Sequence, residues 1–384
     1  MATIVKSIGA TGRDYTTVDA WEADLDDSSI YSAEDTAQGE MYADSTFEIT
    51  STIEIENGGT IGLYHRTLTA AAGERHDGTA NTGVRILNAI TSGTITTMID
   101  ADSSVGDADV GGTDQRGNQI QFIEFDCNEK SIRQMVWLRA YNGMQQCLVH
   151  GGRWTGSYNF TVGIYQQGKQ TWTCNNIVYD ISVDCGTGVN QWGVYGILAL
   201  NNDWMIPVNN TVYGTHTDAD TGGYRVGGYA TGMYVTSGGS YQRIYNNISM
   251  DTVSENTTDE KDFRTQTSTL YTDRNYSSDT SAAGATNYQS QSASDTFVST
   301  ADGSEDLHLK AGATAIGNGR DCGTRETVVG RPMPYPVYTW PVDIDGLNRD
   351  TEELTWDIGA DQYVAASTGG GTAPIVLATT MAGL

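Results

Sequence analysis

Apolar residues in this chain come in short runs that alternate with polar ones and are broken by Gly, Asn, Asp and Ser. Ile120-Gln121-Phe122-Ile123-Glu124-Phe125 and Thr231-Gly232-Met233-Tyr234-Val235 are examples, rich in β-branched and aromatic residues. A period of two with these residue types predicts strands, and the breakers predict tight turns. Almost nowhere do apolar residues recur three and four apart over the length a packed helix needs. Early strands are expected near Ile53–Ile55, Ile61–Tyr64, Val84–Leu87 and Ile95–Ile99.

The runs repeat. Cys174-Asn175-Asn176-Ile177, Val208-Asn209-Asn210-Thr211 and Tyr245-Asn246-Asn247-Ile248 share one phrase, with a weaker copy at Met144-Gln145-Gln146-Cys147 and a decayed one at Asn275-Tyr276. The amide pairs start at 145, 175, 209 and 246. A second phrase runs in step: Gly163-Ile164-Tyr165, Gly193-Val194-Tyr195 and Gly232-Met233-Tyr234. Two phrases locked at one drifting period mark a solenoid with coils of variable length. Coils of about 30 residues fit two or three short strands stacked at strand spacing of roughly 4.8 Å. Repeated Asn then has a reason: stacked amides donate to one neighbour and accept from the next, and Asn tolerates the left-handed backbone of a tight bend. The flanking Met144, Cys174, Val208 and Tyr245 read as an inward stack.

Near the C-terminus come Asp306-Leu307-His308-Leu309-Lys310, Gly312 to Gly317, Asp343-Ile344-Asp345-Gly346-Leu347-Asn348-Arg349 and Asp357-Ile358-Gly359-Ala360-Asp361-Gln362-Tyr363. This series resembles the closing segment of right-handed parallel β-helix proteins of the pectate-lyase-like superfamily, with Gly317-Asn318-Gly319 where an acidic residue is usual. Gly12-Arg13-Asp14-Tyr15-Thr16-Thr17-Val18-Asp19-Ala20-Trp21 looks like the start of the small helix that caps such proteins, with Thr16 as its cap and Asp19 three residues on. The resemblance implies an all-β, right-handed parallel β-helix. The expected organisation is a cap at 1–30, the β-helix with its closing segment at 31–363, and a linker and apolar arm at 364–384.

Acidic residues outnumber basic ones 48 to 21, a net charge of −27, which disfavours nucleic acid and anionic membrane as partners. No secretory signal or membrane-crossing run is legible, so synthesis in a host cytoplasm is expected. Cys127, Cys147, Cys174, Cys185 and Cys322 lack metal-like spacing and read as mostly buried thiols.

Candidate chemistry is sparse. Glu124 and Asp126 alternate on one strand; Asp180 and Asp184 are expected one coil later, then Asp251 and Asp262. None lies in a hydrolase or lyase motif, and most read as solvated acids or turn caps. His150 reads as part of a bend and His216 as part of a polar loop. Asp100, Asp102, Asp107, Asp109 and Asp114, or Asp343-Ile344-Asp345-Gly346, give weak calcium patterns; otherwise no cofactor is implied. Trp154, Trp192 and Trp204 are candidate sugar-stacking residues, weighed against core or turn packing. The uncharged arm presents Ile375, Val376, Leu377, Met381 and Leu384 to a partner chain.

The resulting expectation is a non-catalytic structural or surface component of a bacteriophage virion, such as a capsid decoration. It would assemble with other virion proteins through its arm, as a homo-oligomer, with cell-surface polysaccharide as a further possible partner. A polysaccharide lyase or glycoside hydrolase, or a glycan-binding adhesin, is the alternative.

Overall fold

The computed structural model describes residues 2–91, 95–102, 117–139, 141–155, 160–168, 171–184, 193–218, 230–254, 260–265, 270–282, 284, 286–322, 342–349 and 355–365. The chain is a parallel β-helix. One turn runs through the strands Ile132–Leu138, Gly143–Gln145 and Leu148–Trp154, and the next through Phe160–Gln167, Thr171–Cys174 and Ile177–Asp184. Each strand pairs in parallel with its counterpart one turn on, for example Val136 with Ile164 and Leu148 with Ile177. The coil therefore has three faces. The first two merge into one sheet where Gly193–Val208 and Ala230–Tyr245 run unbroken from one to the other. Two of the early strands shift from their expected places, to His65–Ala70 and Arg85–Asn88.

The first turn opens with Thr3–Ile8, already paired with Thr36–Met41. The cap is the short helix Val18–Ala23. Its N-cap is Thr17, one residue beyond the expected Thr16, and the Thr17 hydroxyl accepts the Ala20 N–H at 3.1 Å. Trp21 is fully buried, and the Glu22 carboxylate accepts the backbone N–H groups of Glu56 and Asn57, pinning the helix over the end of the coil.

The amide ladder exists, in a register one residue off at its first copy. Gln145 pairs with Cys174, so Gln146 stacks on Asn175 and Cys147 on Asn176. The first amide of each pair is left-handed: Gln146, Asn175, Asn209 and Asn246 have φ of 50°, 53°, 54° and 54°. Phe122 and Arg274 extend this row at φ 56° each. The second amide points inward. Asn176, Asn210 and Asn247 each donate Nδ2–H to the next Oδ1, at 3.0, 3.1 and 3.2 Å, ending on Asn275. Each also accepts a backbone N–H from the preceding turn, as Asn210 does from Asn176 at 3.2 Å. All four are sealed from solvent, so every group they satisfy would otherwise be an orphan.

The flanking row is corrected too. Met144 belongs to the inner core, but Cys174, Val208 and Tyr245 form a separate cluster with Trp172, Ile206, Cys322 and Trp356. They face outward beneath the returning closing segment. Strand alternation makes this unavoidable, since the neighbouring Thr173 and Ile244 occupy the inner row. The second phrase also shifts: pairing aligns Ile164 with Ile197 and Ile197 with Met233, so the middle copy is Gly196-Ile197-Leu198 rather than Gly193-Val194-Tyr195. Gly is needed in this row because the opposite face is so close. A Cβ at Gly163 would lie 2.6 Å from Val178 Cγ1 and 2.7 Å from the Gly196 carbonyl oxygen.

The closing segment returns along the outside. Leu307, Leu309, Ile344 and Ile358 bury the outer residues Leu148, Ile177, Ile248 and Tyr276. The left-handed row serves as its dock. Gln146 and Asn175 donate to the Val342 carbonyl at 2.9 and 2.7 Å, and Asn246 exchanges hydrogen bonds with Arg320. The fully buried Arg349 donates to the carbonyls of Asp357, Gly359 and Ala360 at 3.0, 2.9 and 3.0 Å.

Candidate functional site: a polar cleft on the third face

A cleft of about 850 Å³ opens where an antiparallel hairpin, Phe297–Ala301 with Ser304–Leu309, leans over the third face. Its floor is built by register. His150, Tyr179 and Tyr213 stack one above the other, as do Arg153, Ser182 and His216. Between these rows lies a second left-handed row, with φ of 68° at Gly151, 52° at Asp180, 63° at Gly214 and 55° at Asp251. That bend resets the alternation, so residues on both sides of it face out. His150 and Tyr179 lie almost parallel, with ring centroids 4.8 Å apart and planes 9° apart. The hairpin wall contributes Asp302, Glu305 and Asp306, and the loop before Arg85–Asn88, two turns before His150, contributes Thr79 and Asn81.

The electrostatics are dominated by carboxylates. Glu129 reaches Asp180, and burial together with the charge and hydrogen bond of Asp180 pushes Glu129 up to about 7. Glu129 also keeps an edge in solvent, so the Asp180 contact is the firmer of the two causes. Beneath this pair, the fully buried Glu124 accepts from Asn81 N–H at 2.7 Å and meets His150 Nε2 at 3.0 Å. Asp126 Oδ1 lies 4.0 Å from His150 Nδ1. Burial and the surrounding carboxylates raise the Tyr179 phenol well above its usual range.

Of the acids expected from the sequence, Glu124, Asp126 and Asp180 converge here. Asp180 lies two turns beyond Asp126 rather than one, because Asp126 pairs with His150 and His150 with Tyr179. Asp262 is structural: it accepts from Thr252, Ser278 and Asp279 backbone N–H groups. Asp251 lies outside this cleft, half-buried at the next bend. The Asp184 side chain lies outside the described residues. His150 sits in a strand, and His216 lines the cleft.

Asp100 and Asp102 are engaged by Arg139 at 2.6 and 2.7 Å; Asp107, Asp109 and Asp114 lie outside the described residues. Asp343 accepts the N–H groups of Asp345, Leu347 and Gln362, and Asp345 accepts from His308, so the second calcium pattern is spent on holding the closing segment. Trp154 is half-buried against the core and does not line the cleft. Trp192, the Trp204 side chain, Cys185 and the arm residues Ile375, Val376, Leu377, Met381 and Leu384 lie outside the described residues. The other four cysteines are buried free thiols.

The sequence reading missed the cleft floor. Its signal was present: His150-Gly151-Gly152-Arg153, Tyr179-Asp180-Ile181-Ser182 and Tyr213-Gly214-Thr215-His216 recur in phase with the amide pairs. Among the described residues no helix is long and apolar enough to cross a membrane. Fold and site define an acidic, three-faced parallel β-helix with one covered flank and a polar cleft beside it. Comparison with family models, curated proteins and solved structures finds no match.

Proposed function

We infer that this chain is a non-catalytic structural component of a bacteriophage virion, displayed on the particle surface. The reading begins from the resemblance to β-helix proteins of the pectate-lyase-like superfamily, together with an uncharged arm at 364–384 suited to a partner chain. The observation that carries its non-catalytic part is the Glu129–Asp180 pair. A glycosidase holds its carboxyls roughly 5 to 9.5 Å apart so that the sugar passes between them. Carboxyls in direct contact, as Glu129 and Asp180 are, leave no such room between them. Five acids around the cleft (Glu129, Asp180, Asp302, Glu305 and Asp306) against Arg153 also repel the uronate that a lyase must bind.

The expected assembly is a homo-oligomer joined to other virion proteins through residues 364–384. Mass spectrometry of gradient-purified particles of the encoding phage tests this. The chain at a fixed copy number per particle supports it; the chain confined to the soluble lysate overturns it.

The stacked Tyr179–His150 floor favours one second reading, a glycan-binding surface protein taking a neutral saccharide. Binding of the recombinant chain to neutral glycans on an array, lost in Arg153→Ala, supports that reading. Binding only to acidic glycans contradicts it.

A further inference from the structure

Around His150 the floor of the cleft carries a set of metal-type donors that neither reading requires. Glu124, Asp126 and His150 each offer one ligand atom, all within 4.8 Å of one another. We propose that these three side chains bind a divalent first-row transition ion, with zinc as the probe.

The donors suit such an ion: one imidazole and two carboxylates, a set that leaves coordination positions open. They are also held in place. The His150 ring is fixed by its stack on Tyr179. Glu124 is oriented by the Asn81 N–H on its other oxygen, and Asp126 by the Asn128 N–H at 2.7 Å and by Arg85. Such outer hydrogen bonds are what orient the ligands of protein metal sites.

A second observation points the same way. His76 is 2 % exposed, and its Nε2 makes no well-formed hydrogen bond, the Gln146 backbone being the partner beside it. The Gly78 N–H donates to His76 Nδ1 at 3.3 Å, which leaves the ring proton on Nε2. Glu124 is the charge that bears most on this ring. This buried N–H beside Glu124 would suit a water or hydroxide on one of the ion's open positions.

The neighbouring His308, Asp345 and Asp361 cluster is the natural control. Both His308 nitrogens are already taken by carboxylates, Asp306 at 2.5 Å and Asp345 at 3.0 Å, so its ring has no lone pair to give.

Equilibrium dialysis of the chelator-stripped full chain against zinc, read by elemental mass spectrometry, tests the site. One zinc per chain is expected. His150→Ala and Asp126→Asn should each weaken it by at least about tenfold, and His308→Ala should retain it. Asp126→Asn keeps the hydrogen bond to Asn128 and so provides a folded variant should His150→Ala not fold; circular dichroism checks both. No zinc retained by the native chain overturns the proposal. So does zinc retained equally by native chain, His150→Ala and Asp126→Asn, which would place it on thiols or surface acids.

Discussion

Asn210 donates its side-chain amide to Asn247 Oδ1 at 3.1 Å while its own Oδ1 accepts from Asn176 at 3.0 Å, in an interior closed to solvent. Two turns of the coil are thereby tied to a third without water. Replacing Asn210 by Ala removes the acceptor of the Asn176 backbone N–H and of one Asn176 amide hydrogen, and the donor to the Thr173 carbonyl. We expect a loss of about 2–4 kcal/mol, read as a lower denaturant midpoint. Asn209→Ala, one residue away on the left-handed row, should cost less there but loosen the bend.

Gly196 is fixed by space rather than by turn geometry. A Cβ there would overlap Val212 Cγ1 and lie 2.7 Å from the Gly232 carbonyl oxygen. Gly196→Ala should destabilise the coil by about 2 kcal/mol or more. Adding Val212→Ala should restore only part, because the carbonyl cannot move aside. Full recovery in thermal melts of the double variant would contradict this packing account.

Arg349 holds the closing segment through three backbone carbonyls and Asn175 Oδ1 at 3.4 Å. Arg349→Leu removes the donor to these acceptors, of which Ala360 keeps a second partner in the Ile344 N–H, at a cost of about 3 kcal/mol. The segment should then be cut by protease while the coil resists. Mass analysis of the digests distinguishes local release from global unfolding.

Burial opposes charge on His308, but Asp345, Asp361 and Asp306 outweigh it and lift the imidazole to about 10 from 6.5. A raised folded value means the native state holds the proton more tightly. The stabilisation is complete below pH 6.5 and is lost as pH rises toward 10. Native protein should therefore lose melting temperature over that window more steeply than His308→Gln does. Parallel curves for the two would show that His308 carries no such linkage.

For Glu129 the sign is that of a destabilised carboxylate. Its folded value lies near 7 against 4.5, so the native state binds extra proton and stability falls as pH rises between them. Asp180→Asn should return the Glu129 midpoint toward the ordinary range, as followed by carbon NMR titration. Because Glu129 is partly exposed, the stability gain at pH 8 should stay below about 1 kcal/mol.

The sequence by itself determined the β-helix. Alternating short runs fixed strands, and the recurring Asn pairs fixed a solenoid, because stacked amides satisfy one another only at strand spacing. The closing motifs around Asp306, Asp343 and Asp357 were legible through their resemblance to other β-helix proteins; in the structure their acids accept backbone N–H groups within a few residues or between neighbouring motifs. Tertiary structure decided what local pattern leaves open. Whether Gln145 or Gln146 joins the ladder depends on a one-residue register, which only the pairing of Gln145 with Cys174 settles. Alternation points Cys174, Val208 and Tyr245 outward, but whether that outer row meets solvent or a second core depends on the closing segment, which arrives from far along the chain to cover them. The cleft depends on both. Glu129 and Asp180 come from different turns and Glu305 from the returning hairpin, and the bend at Gly151 and Asp180 turns both neighbouring rows outward. Charge and residue type predicted acids on this surface, but only the stacking of turns placed them within reach of one another.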